Sequence, residues 1–226
     1  MLQSHPSSFS PPRVIPVKVY EDARKAPLWE QAFYTIWLFA VFMPIEAFEP
    51  IRYLCIAGLL GILAIHRNEV FPLMLKAWPL FPIPIFACFS IFWTPYPGDA
   101  PKSAALLMLT PILLVVLAAR LRAVEFLRLT MFAGWLGTLY SLPYFATFAD
   151  GGPYAQKNSL AFHMMLVILT SLGTALNDEE PAPIRMIAAV FVPVAFVIQY
   201  LADSATSLVF AVAGSAVLIG IKLVWT

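Results

Sequence analysis

The chain has 226 residues, 61% hydrophobic and only 12% charged, with a mean hydropathy of +0.81. Soluble domains carry about 25% charged residues, so an ordinary soluble fold is excluded. The net charge of +1 is too small to gather nucleic acid, and the composition also excludes disordered, collagen-like and coiled-coil classes, which leaves a chain embedded in a lipid bilayer.

Residues 1–27 carry His5, Arg13, Lys18, Arg24 and Lys25 among scattered Ser and Pro. They lack the apolar core of a cleavable signal peptide and read as a polar, disordered cytoplasmic tail. A membrane helix needs about 20 mostly apolar residues. Runs of that kind follow over 28–48, 51–65, 78–93, 103–119, 126–148, 159–176, 184–201 and 206–224. The expected fold is therefore all-α, a polytopic membrane helix bundle of about eight transmembrane helices over 28–226, with short connectors.

Dealing the connectors alternately to two sides places Arg13, Lys18, Arg24, Lys25, Arg67, Lys76, Arg120, Arg122, Arg128, Arg185 and Lys222 together. Only Arg52, Lys102 and Lys157 fall on the other side. Basic residues concentrate on the cytoplasmic face, so the N-terminus is expected there.

Ionisable groups are scarce inside the runs. Glu30 and Glu46 lie near opposite ends of the first, and His163 is the one titratable side chain well inside a run. An intramembrane His serves either as a hydrogen-bonded packing residue or as a ligand or proton relay. Cys55 and Cys88 sit in apolar runs without C-x-x-C spacing and read as small buried hydrophobes. Prolines at 44, 79, 82, 84, 111, 143 and 193 fall in or beside the runs. They either kink helices for packing or open a cleft at the outer surface.

Three outward connectors hold the remaining information. The first runs Trp93-Thr94-Pro95-Tyr96-Pro97-Gly98-Asp99. The second, over 150–158, ends in Lys157-Asn158 at the start of a helix. A cation and an amide beside free backbone N–H groups make a phosphate contact there, unless the lysine merely snorkels to the interface. The third, Ala202-Asp203-Ser204-Ala205-Thr206, is a tight turn whose Ser204 and Thr206 are placed to cap the last helix.

Taken together, these connectors resemble the O-antigen ligase and polysaccharide polymerase superfamily. The likeness rests on Trp93-Thr94-Pro95 with Asp99, on Gln156-Lys157-Asn158-Ser159-Leu160-Ala161, and on Leu201-Ala202-Asp203-Ser204-Ala205-Thr206, in that order and on one side. The resemblance implies a multi-span glycosyltransferase of the bacterial inner membrane. Its partner would be an undecaprenyl-diphosphate-linked glycan, transferred on the outer side without a bound metal or other cofactor during cell-surface polysaccharide synthesis. Lys157, Asn158, Ser204 and Thr206 are the substrate-binding residues it points to, with no catalytic residue assigned. The family's basic residue before the motif Thr is here Ala205, which stabilises no anion. Family members also carry a large downstream outer loop, so the chain is expected to correspond to their N-terminal part. A non-enzymatic alternative is a permease-like protein or an accessory subunit of a cell-envelope complex.

Overall fold

The computed structural model describes residues 26–43, 45–89, 92–93, 100–154 and 156–225. Among these the regular structure is helical throughout. The helices are α1 (Leu28–Phe42), α2 (Glu49–Ile65), α3 (Arg67–Lys76), α4 (Pro82–Phe89), α5 (Ala100–Arg120), α6 (Ala123–Ser141), α7 (Lys157–Leu176), α8 (Ala182–Leu201) and α9 (Ala205–Trp225). The polar tail expected over 1–27 lies outside the described residues apart from Ala26 and Pro27.

Three described helices, α7, α8 and most of α9, are long and apolar enough to cross a membrane. The pair α2 and α3, bent by 99° at His66, makes a fourth if it is one broken span. The sequence led us to expect about eight. Part of the difference lies where proline interrupts an apolar run. α1 stops at Phe42, and Met43, which precedes Pro44, leaves the helical region at φ −107° and ψ 80°, as the residue before a proline is pushed to do. The run 78–93 divides into a 3-10 turn, Trp78–Leu80, and the two-turn α4, around Pro79, Pro82 and Pro84. α6 ends at Ser141, and the chain continues from Leu142 to Asp150 as a 3-10 helix. Pro111 and Pro193, by contrast, sit inside the continuous helices α5 and α8.

α7 is the centre of the second half, packed against α6, α8 and α9. Small residues let backbones approach where lipid gives helices no hydrophobic reason to associate. A Cβ at Gly134 of α6 would come within 2.8 Å of the Val167 side chain, and one at Gly214 of α9 within 2.7 Å of Leu169. Trp135 of α6 ties α6, α7 and α8 together: its indole N–H donates to Ser171 Oγ on α7 at 3.1 Å, and its ring stacks on Phe191 of α8 at 3.8 Å. A second apolar cluster joins α1, α2, α5 and α6 through Tyr34, Leu59, Val116 and Leu117.

Charged residues gather where helices end. Arg120, closing α5, donates to both carboxylate oxygens of Glu30 at 3.0 and 3.1 Å and to Glu69 at 3.1 Å. His66, at the α2–α3 elbow, lies 3.9 Å from Glu30 and 3.5 Å from Glu69. Arg128 of α6 pairs with the buried Glu180 at 2.9 Å. Asp178, in the α7–α8 connector, binds Lys222 of α9 and Arg185 of α8. The basic residues Arg120, Arg128, Arg185 and Lys222, which the alternating count assigns to one side, thus sit at helix ends pinned by acidic partners.

The Lys222 ammonium holds the exposed Asp178 carboxyl below its ordinary value of 3.8. A depressed acid stabilises the fold above its unfolded pKa, and that contribution is lost as pH falls through the folded value. The α7–α9 clasp should therefore loosen only in strong acid, read as a drop in melting temperature below about pH 4 that Asp178→Asn removes. The Glu30 pair is far more consequential. Arg120→Met should cost about 3 kcal/mol because it strands a buried carboxylate, whereas Arg120→Met with Glu30→Leu should recover most of that loss. Unfolding of the purified protein in mixed micelles measures both.

Candidate functional site

At the far ends of α7 and α8 from those ion pairs, two distant segments meet. The α8–α9 connection reverses within three residues because Asp203 adopts φ +49°, the left-handed conformation that commonly ends helices. Ser204 then opens α9, its carbonyl accepting the Leu208 N–H at 3.1 Å. Its hydroxyl does not serve α9 alone. It donates to Asn158 Oδ1 on the first turn of α7 at 3.2 Å and lies 3.4 Å from Ser207 Oγ.

One residue earlier, Lys157 Nζ lies 3.5 Å from Asp203 Oδ2, with the side chains 47% and 84% exposed. The structure therefore brings together three of the four residues read from the sequence, Lys157, Asn158 and Ser204. Thr206 stands on the first turn of α9 and is exposed. Sequence reasoning left Asp203 out of the site, although it is the lysine's ion-pair partner. Of the first outward motif, Trp93 is exposed, and residues 94–99 lie outside the described residues.

The approach to α7 is set by two glycines. Gly151 and Gly152 have φ of +104° and +54°, and a Cβ on Gly151 would strike the Gln156 backbone at 2.3 Å. This tight reversal tucks Tyr154 beneath the start of α7, where it is buried and its hydroxyl donates to Met43 Sδ at 2.9 Å. Burial pushes the Tyr154 phenol above its ordinary range, so it stays a neutral donor.

Beside the Lys157 turn lies a cavity of about 390 Å³. Val41 and Phe42 from the end of α1, Tyr154, and Asn158, Phe162 and His163 of α7 line it. Its walls are mostly apolar, and exposed Asn158 marks the polar mouth. His163 is 3% exposed, with Nε2 3.1 Å from the Gly134 carbonyl oxygen. Of the two roles open to an intramembrane histidine, this geometry supplies the hydrogen-bonded packing contact on the Nε2 side.

Among the described residues no group of three or more His, Cys, Asp or Glu side chains is placed to hold a metal ion. Comparison with protein-family models, with curated proteins and with solved structures gives no match.

The Asn158–Ser204 hydrogen bond joins the first turn of α7 to the start of α9, and a bond of this kind contributes about 1 kcal/mol. A double-mutant cycle of Asn158→Ala and Ser204→Ala, read by unfolding in micelles, should give a coupling of about that size. A cycle of Lys157→Ala and Asp203→Ala should give less, and should vanish in high salt.

Proposed function

We propose that this protein is a multi-pass protein of the bacterial inner membrane that engages an undecaprenyl-diphosphate-linked glycan at its outward end, as the superfamily it resembles does. The chain crosses the membrane about eight times with its N-terminus cytoplasmic, and α7, α8 and α9 are three of those crossings. One observation carries this reading. Lys157-Asn158 and Asp203-Ser204, separated by more than forty residues in the sequence, share one hydrogen-bonded end of the bundle.

The chemistry suits a diphosphate. Free backbone N–H groups and the helix dipole at the start of α7 favour an anion, and Lys157 adds a full positive charge. Its present partner, Asp203, is 84% exposed; such ion pairs are weak, so a doubly charged group displaces the carboxylate readily. In glycan transfer the acceptor hydroxyl oxygen bonds to the anomeric carbon, the bond from that carbon to the diphosphate breaks with its electron pair leaving on the phosphate oxygen, and the hydroxyl proton passes to water at the exposed mouth of the site. Lys157 stabilises the charge that develops there. With Ala205 at the family's basic position, Lys157 carries that task without the second cation.

The accessory-subunit reading has its own support. Only 6% of the α9 span is buried, against 44% of α7. Ala213, Ala216 and Gly220 fall at spacings of three and four along α9, a small-residue stripe of the kind that seats a second membrane helix.

Lys157→Ala in the full-length protein should lower transfer of lipid-linked glycan tenfold or more, the loss expected for one charge-assisted contact to an anion, while membrane insertion is unchanged. Unchanged transfer favours the accessory reading. The orientation is checked separately. With Cys55 and Cys88 replaced, a cysteine introduced at Asp203 should react with an impermeant maleimide on intact cells, and one introduced at Asp178 only after permeabilisation.

A further inference from the structure

His163 leaves one polar atom unused. Its Nε2 faces the Gly134 carbonyl, which can only accept, so Nε2 carries the proton and Nδ1 is an acceptor. Nδ1 is enclosed and has no hydrogen-bond partner. Buried acceptors are nearly always satisfied, and an exception calls for a partner such as a water, an ion or a bound molecule; among the enclosed atoms left without a partner, Nδ1 belongs to a residue that lines a cavity. His163 is also a lining residue of the 390 Å³ cavity beneath the α7 first turn, a volume within the range of small-molecule sites.

The surroundings restrict what can satisfy Nδ1. The rings of Phe42 and Tyr154 flank the imidazole, with centroids at 5.6 and 5.4 Å. A water on Nδ1 would have only Asn158, Ser159 and the Tyr154 hydroxyl as further polar neighbours on walls that are otherwise apolar, and it would leave that apolar volume unfilled. An anion meets a lone pair at Nδ1, and an ammonium would leave its charge unpaired in an apolar enclosure. A molecule with an apolar body and a single hydroxyl meets every condition.

We infer that the cavity between the end of α1 and the outer half of α7 is a binding site for an amphipathic alcohol, whose hydroxyl donates to His163 Nδ1 after Phe42 and Tyr154 part. The apolar body lies along Val41 and Phe162, and the mouth opens beside Asn158. The site does not depend on the glycan reading. Lys157 stands six residues before His163, about 9 Å along the helix axis, and belongs to the anionic turn rather than to this enclosure.

The test uses the full chain in phospholipid bilayers with nitrogen-15 histidine. The sequence holds three histidines, His5, His66 and His163, and the His163 signals are those missing from His163→Gln. Titration with n-octanol should move the Nδ1 resonance saturably from an unpartnered acceptor toward a hydrogen-bonded one. 1-Methoxyheptane, of the same heavy-atom length but without a donor, and octanoate should not. Val41→Trp, which narrows the cavity from α1, should abolish the octanol shift, and Lys157→Ala should preserve it. The inference is overturned if octanol leaves Nδ1 unmoved, if the ether moves it equally, or if Val41→Trp keeps the full shift. The comparison of alcohol with ether is made on the unaltered protein, so a variant that fails to fold does not blunt it. Loss of transfer in Lys157→Ala with the octanol shift intact separates this site from the anionic one.

Discussion

Glu30 is 1% exposed, and a carboxylate so enclosed is tolerable only because Arg120 grips both its oxygens in the bidentate geometry that guanidinium and carboxylate share. Arg120 cannot leave without stranding the buried Glu30 carboxylate, so the start of α1 and the end of α5 are held together. Glu69 and His66 extend the grip to the sharp elbow between α2 and α3. Further along, Arg128–Glu180 ties α6 to the α7–α8 connector, and Asp178 gathers α8 and α9. The helices are thus pinned at one set of ends. The opposite ends of α7, α8 and α9 have an exposed ion pair and a neutral hydrogen bond instead, the weaker kind of link that a ligand can replace.

Apolar length was enough to locate the later helices. The runs 103–119, 159–176, 184–201 and 206–224 coincide with α5, α7, α8 and α9 to within a few residues, because a long uninterrupted apolar stretch has few other ways to satisfy its backbone in lipid. Of the earlier runs, 51–65 coincides with α2, whereas 28–48 and 78–93 read less well. Hydropathy averages over prolines, whereas the chain feels each one, and Pro44, Pro79, Pro82 and Pro84 mark the places where long runs resolve into shorter helices. α3 was hidden for another reason. Arg67, Asn68 and Glu69 look like a polar connector, and what gives their helix a place is Glu69 bound to an arginine on α5, a partner no local pattern reveals.

The site divides in the same way. Lys157 and Asn158 were legible because a cation and an amide stand at a helix start, whereas Ser204 was read from the residues as a cap and as substrate-binding only through the family resemblance. Their association was not legible, since it depends on a reversal at Asp203 that normally calls for glycine or asparagine. An aspartate accepting φ +49° there leaves only a faint trace in the sequence. The substrate-binding role of Thr206 came, like that of Ser204, from the family resemblance, and its exposed position on α9 adds nothing to it. Tyr154 was passed over as part of a loop, although Gly151-Gly152 just before it signals a forced turn whose product is a buried aromatic under α7.

α7 links these features, and its two neighbours on the α6 side explain why the imidazole sits where it does. A Cβ at Gly137 would lie 2.8 Å from both His163 Cε1 and Nε2, so any side chain at that position would push the ring away from the Gly134 carbonyl. The histidine's orientation is therefore written on the facing helix as an absence of side chain. Because the same helix that holds His163 also begins with Lys157 and Asn158, the enclosed acceptor and the exposed cation move as one rigid body. A site on such an element keeps its geometry without help from its ligand. The cavity wall formed by α1 ends at Phe42, beside the buried Met43 that accepts from the Tyr154 hydroxyl, and is anchored through Glu30 at its other end.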